Sequence, residues 1–303
     1  MDFLAYIQEH TSWLLEQFFL GITILTDFRY LLGIMLVIFW CINKNWAYRI
    51  GFSVLTASFL NGVLKMGFQE QRPWNRIHDP MIERAYPTLD AATGYSFPSG
   101  HAMSFTAFFL PMFRISKRLL FKILPIVAIA LVALSRIYLR VHTPLDVLTG
   151  VVLAIIIFLI VDAAYLYIER TSRFHLVLWA LVPIAVGCIA ALLFFRGAAN
   201  DESAISGIKD CIKSAGSIAG FCISYFVERK YIGFRESATL PMQLVKCGVG
   251  AVGLVAIMYG LKFVFPDQLL FDFIRYMLTS LWAIMVMPYL IKRYMNKITK
   301  AKA

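Results

Sequence analysis

Nine runs of roughly twenty apolar residues, set apart by short polar segments, leave this chain few folds to choose from. They fall at 29–46, 50–68, 100–116, 119–138, 146–168, 175–196, 209–227, 240–265 and 269–291. About 20 residues of α-helix cross a hydrocarbon layer of about 30 Å. The expected fold is therefore all-α, a polytopic membrane bundle of about nine transmembrane helices. Composition agrees: 60% of the 303 residues are apolar and 16% charged, against an apolar share of roughly 45–50% in soluble domains. Residues 1–28 are apolar but interrupted by Glu9, His10 and Glu16; an interfacial amphipathic helix is expected there, with a tenth span as the alternative. The opening Met1-Asp2-Phe3-Leu4 has no basic n-region and does not read as a cleaved signal peptide.

The net charge of +11 would suit a nucleic-acid partner, but the cations form no single patch, and none is expected. They sort by side instead. Lys44, Arg49, Arg114, Lys117, Arg118, Lys122, Arg170, Arg173, Arg229, Lys230, Arg235 and the tail after Lys292 share one side of a nine-span topology. Asp79, Glu83, Asp90, Asp201 and Glu202, with fewer cations, share the other. The positive-inside rule makes the first side cytoplasmic and puts the 69–98 and 139–145 segments outside. Short loops suit a bacterial inner membrane, an endoplasmic reticulum protein with a lumenal site being the alternative. Cys41, Cys188, Cys211, Cys222 and Cys247 lie in or beside apolar runs without a CxxC pair, so neither zinc nor a disulfide scaffold is expected.

Polar chemistry concentrates in three segments. The first is Lys65-x6-Arg72-Pro73, ending the second run; the second is Pro98-Ser99-Gly100-His101, opening the third. The last is Ser135-Arg136-x5-His142-x3-Asp146, bridging the fourth and fifth. Chain reversal brings all three to one membrane face. A phosphate ester needs fixed donors, which Lys65, Arg72 and Arg136 supply. Ser99 and Gly100 stand at a helix start, where free amides favour an anion, and Gly100 permits close approach. Thr143 reads as an N-cap and Pro144 as a first helical residue, which puts Asp146 in the first turn, within reach of His142. A neutral imidazole oriented by a carboxylate is a nucleophile; His101 then remains to protonate the leaving oxygen and later to activate water.

In this order and spacing the three segments closely resemble the signature of the type 2 phosphatidic acid phosphatase (lipid phosphate phosphatase) superfamily, over roughly residues 29–168. The resemblance implies a six-helix catalytic core, a phosphohistidine on His142 oriented by Asp146, and His101 as acid then base. It also implies phosphate binding by Lys65, Arg72, Ser99, Gly100, His101 and Arg136; no carboxylate or His/Cys cluster with ligand spacing lies near the motifs, so no metal or other cofactor is expected. The additional helices of 169–303, with Phe226-Val227-Glu228-Arg229-Lys230, resemble more loosely the sphingoid-base phosphate phosphatases and glucose-6-phosphatase.

Singly, each element has a plainer reading: Lys65 as a snorkelling lysine, Pro98-Ser99-Gly100 as a turn, His142 and Asp146 as a helix-start pair. Their joint occurrence on one face favours a site. His10, His78 and His175 read as surface residues, Tyr95, Ser96 and Phe97 as loop packing, and Trp74 as an interfacial anchor. Asp210, Lys213, Lys246, Lys262, Asp272 and Arg275 read as structural charges paired at span ends, with Asp210 and Lys213 on one helix face. The expected function is hydrolysis of a lipid phosphate in the bilayer: phosphatidic acid, phosphatidylglycerophosphate, an isoprenoid phosphate or diphosphate, or a sphingoid-base phosphate. The alternatives are a membrane sugar phosphatase and a transporter or scramblase keeping only the phosphate site. The vanadate-dependent haloperoxidases share the pattern but are soluble.

Overall fold

The computed structural model describes residues 12–73, 94–115, 118–197 and 201–295, which form a helical bundle without a strand among them. Helix α1 is Trp13–Leu25; α2, Phe28–Val37, runs on through a π-helical turn at Ile38–Ile42. Then come α3 (Lys44–Phe68), α4 (Gly100–Ile115), α5 (Leu120–Tyr138) and α6 (Pro144–Thr171). A 3-10 segment, Phe174–Ala180, leads into α7 (Leu181–Gly197). Helix α8 (Glu202–Val227) closes in a π turn, Glu228–Ile232. Helices α9 (Leu240–Val255) and α10 (Leu269–Leu281) continue through similar turns to Val264 and Met295.

Short polar side chains set where these helices begin. Ser12, Asp27, Asn43, Thr143 and Asp201 each accept a hydrogen bond from a first-turn amide of the helix that follows, satisfying donors that have no partner within the helix. The apolar runs then propagate. Six described stretches are long and apolar enough to span a membrane, and the α1–α2 pair, bent by 47°, makes a seventh if taken as one. The count of nine thus does not follow from length and composition. Helix α4 has only 16 residues. Helix α8 is diluted by Ser, Gly, Lys209, Asp210 and Lys213, and it starts before the apolar run expected at 209–227.

That polarity is explained by position: α8 is an inner helix. Ala204, Gly207, Cys211, Ala215, Gly216, Ala219 and Gly220 are buried, and they let neighbouring backbones approach. A Cβ on Gly62 of α3 would come within 2.9 Å of the Cys211 Cα. One on Gly216 or Gly220 would strike the carbonyl of Phe273 or Met277 in α10. Helix α8 therefore packs on α3 on one side and on α10 on another. Outward faces of α5, α6, α7 and α9 are instead apolar and exposed, as at Ile126, Leu159, Val186 and Val252. Lipid covers such faces without cost.

Ion pairs join the helices at the end where α3 begins. Fully buried Glu228 accepts from Lys44 Nζ at 2.8 Å, Tyr48 Oη at 2.7 Å and Phe234 N at 3.1 Å. Glu169 takes Arg229 and Tyr225 Oη (2.6 Å), and Asp162 takes Arg49 Nε at 2.6 Å. The Phe226–Lys230 segment thus acts as a cross-helix staple. Other intramembrane charges are paired as expected: Asp210 with Lys213 at 3.5 Å, and Asp272 with Arg275. Lys246 differs: it is buried and donates to the Glu236 carbonyl at 2.7 Å.

Close α8–α10 packing yields a stability prediction. Gly216→Val should cost about 1–3 kcal/mol, the usual range for overpacking, read as a lowered unfolding midpoint in detergent. Gly248→Ala, where an added Cβ meets nothing within 4 Å, should leave the midpoint unchanged or slightly higher. Equal behaviour of the two variants would contradict the tight contact.

Candidate active site

At the other end of α3, Lys65 sits one turn before the helix stops at Gln69, whose backbone is left-handed (φ 51°). That reversal turns the chain inward and buries Arg72, whose Nε donates to the Gly94 carbonyl at 2.9 Å. Its Nη1 donates to the Val141 carbonyl at 3.2 Å and lies 3.5 Å from His142 Nε2. The first and third segments of the sequence signature therefore meet at one guanidinium.

Between α5 and α6 the chain turns through Arg140, again left-handed (φ 57°), and the amides of Val141 and His142 bond back to the Arg136 carbonyl. Helix α6 then starts as its sequence requires. Thr143 Oγ1 accepts from Asp146 N at 3.2 Å while Asp146 Oδ2 accepts from Thr143 N at 2.9 Å, a reciprocal capping box with Pro144 in the first turn. This fixes Asp146 beside His142, its Oδ2 3.5 Å from Nδ1.

A third group stands between them. Ser96 Oγ lies 2.5 Å from Asp146 Oδ2 and 3.2 Å from His142 Nδ1. A hydroxyl has one proton, and the shorter contact to a carboxylate takes it. Toward the imidazole the same oxygen can then only accept, so Nδ1 carries the proton and Nε2 presents its lone pair toward Arg72. Ser96 is thus a correction to the expectation of loop packing: it is buried at the centre of the site. Tyr95 is also more than packing, its hydroxyl donating to Asp201 Oδ2 at 2.7 Å at the start of α8. Burial, with Arg72, Arg136 and Lys65 around it, pushes the His142 imidazole well below the usual histidine range, so it stands neutral.

The Pro-Ser-Gly-His segment enters from α4. Ser99 N donates to the Asp146 carbonyl at 3.0 Å, and the Ser99 carbonyl accepts from Met103 N, which makes Ser99 the start of the helix. Gly150 of α6 lies so close to Ser99 that a Cβ there would come within 2.8 Å of the Ser99 carbonyl. Asn61 donates to the Pro98 carbonyl at 3.0 Å, and a Cβ on Gly100 would meet Asn61 Oδ1 at 3.0 Å. His101 is half-buried and lines a cavity of about 320 Å³. It lies in the electrostatic field of His142, Lys65, Arg72 and Arg136.

Every residue expected at the site is therefore drawn to one end of the bundle: Lys65, Arg72, Ser99, Gly100, His101, Arg136, His142 and Asp146. Two buried atoms there, Ser99 Oγ and Arg136 Nε, have no hydrogen-bond partner. No group of three His, Cys, Asp or Glu side chains able to share a metal ion occurs among the described residues. Of the histidines set aside, His175 is exposed on the 3-10 segment, as expected. His10, His78, Trp74 and Asp90 lie outside the described residues.

Helix α1 also reaches this end. Thr23 Oγ1 accepts from Arg136 Nη1 at 3.5 Å and lies 3.4 Å from Ser135 Oγ. Phe19 packs against Tyr138 with tilted rings, centroids 4.7 Å apart, and Glu16 Oε1 is 4.0 Å from Arg140 Nη2. The segment expected at the interface thus packs along α5 and backs the arginine of the third motif. No sequence signal pointed to Thr23 or Ser96. Each is one hydroxyl among many, and its role is set by what folds against it.

Residues 46–170 match the PAP2 superfamily, and residues 212–299 match the PAP2 superfamily phosphatase, transmembrane extension. Phosphatidylglycerophosphatase B of Bacillus subtilis (strain 168) is 32% identical over 121 residues, covering 36% of this chain and 58% of that protein. Undecaprenyl-diphosphatase of Sulfolobus acidocaldarius is 34% identical over 98 residues, 32% of this chain and 45% of that protein. The chain thus spans about half the length of the curated relatives it matches. No solved structure matches it. With both regions matched in order around one helical bundle, the chain belongs to the PAP2 superfamily as an integral membrane member carrying the transmembrane extension.

Proposed function

We propose that this protein is a membrane phosphatase that hydrolyses a lipid phosphate through a phosphohistidine on His142, without a metal ion. The observation that carries this reading is the proton chain Asp146–Ser96–His142, which leaves Nε2 unprotonated among three cations. Nε2 attacks phosphorus and the P–O bond to the leaving group breaks. His101 gives that oxygen its proton, and Lys65, Arg72 and Arg136 take the charge on the three equatorial oxygens. The partnerless Ser99 Oγ and Arg136 Nε and the first amides of α4 are donors a phosphate oxygen would satisfy. Water then attacks the phosphohistidine, giving its proton to His101 as the P–N bond breaks. The cations do the electrostatic work that a divalent ion does elsewhere, and their field disfavours binding one.

A lipid substrate is supported by the position of the site at one end of a membrane bundle. It is supported also by the names of the two relatives, a phosphatidylglycerophosphatase and an undecaprenyl-diphosphatase. The core of 29–168 would carry the chemistry. The active face is read as extracytoplasmic, in a bacterial inner membrane, with the C-terminus cytoplasmic. Support comes from the basic residues gathered near Lys44 and Arg229, about 32 Å along α3 from Lys65 at 1.5 Å per residue.

Three tests follow. His142→Ala should abolish both phosphate release and trapped phosphoenzyme, whereas His101→Ala should slow an alkyl ester far more than an activated aryl phosphate. Ser96→Ala should keep the phosphoenzyme but lose about 1.5–3 kcal/mol of orientation, the worth of a hydrogen bond to a charged group, hence roughly ten- to a hundredfold in kcat. A Ser96→Ala enzyme as fast as the parent would sink the proton chain.

Activity should survive EDTA and be inhibited strongly by vanadate, which mimics the trigonal-bipyramidal phosphorus. Recovery of a chelated sample only on adding Mg²⁺ or Zn²⁺ would overturn the metal-free mechanism.

Topology is checked by cysteine labelling. Gln71 is exposed at the site end and Tyr231 is exposed at the far end. An impermeant thiol reagent should label Gln71→Cys in intact cells and spare Tyr231→Cys, with the parent protein controlling for native thiols. The reverse pattern would move the site to the cytoplasmic face.

A further inference from the structure

The cavity in front of His101 is built by both halves of the chain. Asn61 and Gly100 line it from the core side, and Asp210, Lys213 and Ser217 of α8 with Tyr276 of α10 close the other. His142 is not on its wall; His101 is. If His101 protonates the leaving oxygen, the group bonded to that oxygen lies in this cavity. We propose, building on the phosphatase reading, that the α8–α10 wall forms the leaving-group subsite and takes a hydroxylated, polyol-like moiety. The scissile phosphate would then sit on a polyol head group, rather than directly on a hydrocarbon chain or a second phosphate.

The wall's chemistry argues for this choice. Beside the apolar Phe28 and Leu55 it offers hydroxyls, an amide and one ion pair, Asp210–Lys213 at 3.5 Å, and the hydroxyls and amide would lose hydrogen bonds to water against an alkyl chain. A second phosphate fits poorly, because Lys213 is already matched by Asp210 and Asp27 also lines the space. Asp210 further lies within electrostatic reach of Lys65 and Arg72, so the wall is coupled to the phosphate cluster. The volume, about 320 Å³, is at the small end of ligand sites, suited to a compact head group with the acyl chains left outside. The residues involved lie outside the three signature segments, on helices packed behind them, so they can tune specificity while the chemistry is kept.

The experiment compares kcat/KM of purified full-length enzyme on phosphatidylglycerophosphate, phosphatidic acid and an isoprenoid diphosphate in one detergent. The polyol-borne phosphate should be preferred by at least about tenfold, since sites built to hydrogen-bond a hydroxyl reject analogues lacking it. Lys213→Met and Tyr276→Phe should each shrink that ratio, chiefly through KM for the polyol substrate. Tyr276→Phe removes one oxygen and keeps the ring, which guards against a folding artefact. A parent enzyme preferring either of the other lipids, or a ratio unmoved in both variants, would overturn the subsite while leaving the phosphatase standing. No phosphate release from any of the three esters would overturn both.

Discussion

A single carboxylate in the first turn of α6 ties the helix frame to the chemistry. Asp146 accepts from the Thr143 amide to start the helix, and with its side chain so fixed it also accepts from Ser96, whose oxygen in turn holds His142. Its backbone carbonyl meanwhile takes the Ser99 amide and so anchors the start of α4. Helix initiation, imidazole tautomer and the placing of the Pro-Ser-Gly-His turn share one residue. A group held by so many constraints keeps its geometry without help from a ligand, which is what preorganisation demands.

The second half of the chain is structurally continuous with this arrangement. Small residues bring α8 against α3, the helix that delivers Lys65, and the Asp201–Tyr95 bond pins the loop bearing Ser96 to the first residue before α8. Gly94 in that loop, whose carbonyl receives Arg72, sits against Ser203 and Gly207. Of the polar residues that dilute the hydropathy of α8, Ser217 and Ser224 are buried, Asp210 and Lys213 line the cavity, and Lys209 pairs with Asp267. Where an apolar helix would have faced lipid equally well, this one lines a cavity and braces a loop.

Much of the site was legible because its logic is local or rests on residue type. Thr143, Pro144 and Asp146 announce a helix start by position alone, and the structure contains that capping box. Three cations and two histidines in spaced segments imply an anion site whatever the fold. Ser96 was not legible, since a serine comes to bridge a carboxylate and an imidazole only when two distant segments close on it. Nor was the packing of α1 on α5, because an apolar helix with a few polar residues suits lipid, interface or protein equally. The number of spans is not fixed by the described helices, because α4 is short and the charges of α8 lower its hydropathy, so that length and composition support six or seven of the nine runs.

The same residue types serve opposite ends at the two faces of the bundle, and the difference is whether a carboxylate is within reach. Near the start of α3, Lys44, Arg49 and Arg229 each meet a buried or half-buried acid, and their charge is used up in holding helices together. Near its end, no ion pair joins Lys65 or Arg136 to an acid among the described residues, while Asp146 is committed to Thr143 and Ser96. Two unit charges about 4 Å apart interact by about 4 kcal/mol at an effective dielectric of 20, so clustered cations are costly until an anion enters. Burial and that unbalanced field together hold His142 neutral, and the field suits an anion. A carboxylate introduced to pair with Arg136 would relieve the repulsion and stabilise the fold, but on the phosphatase reading it would stand where the substrate's charge belongs.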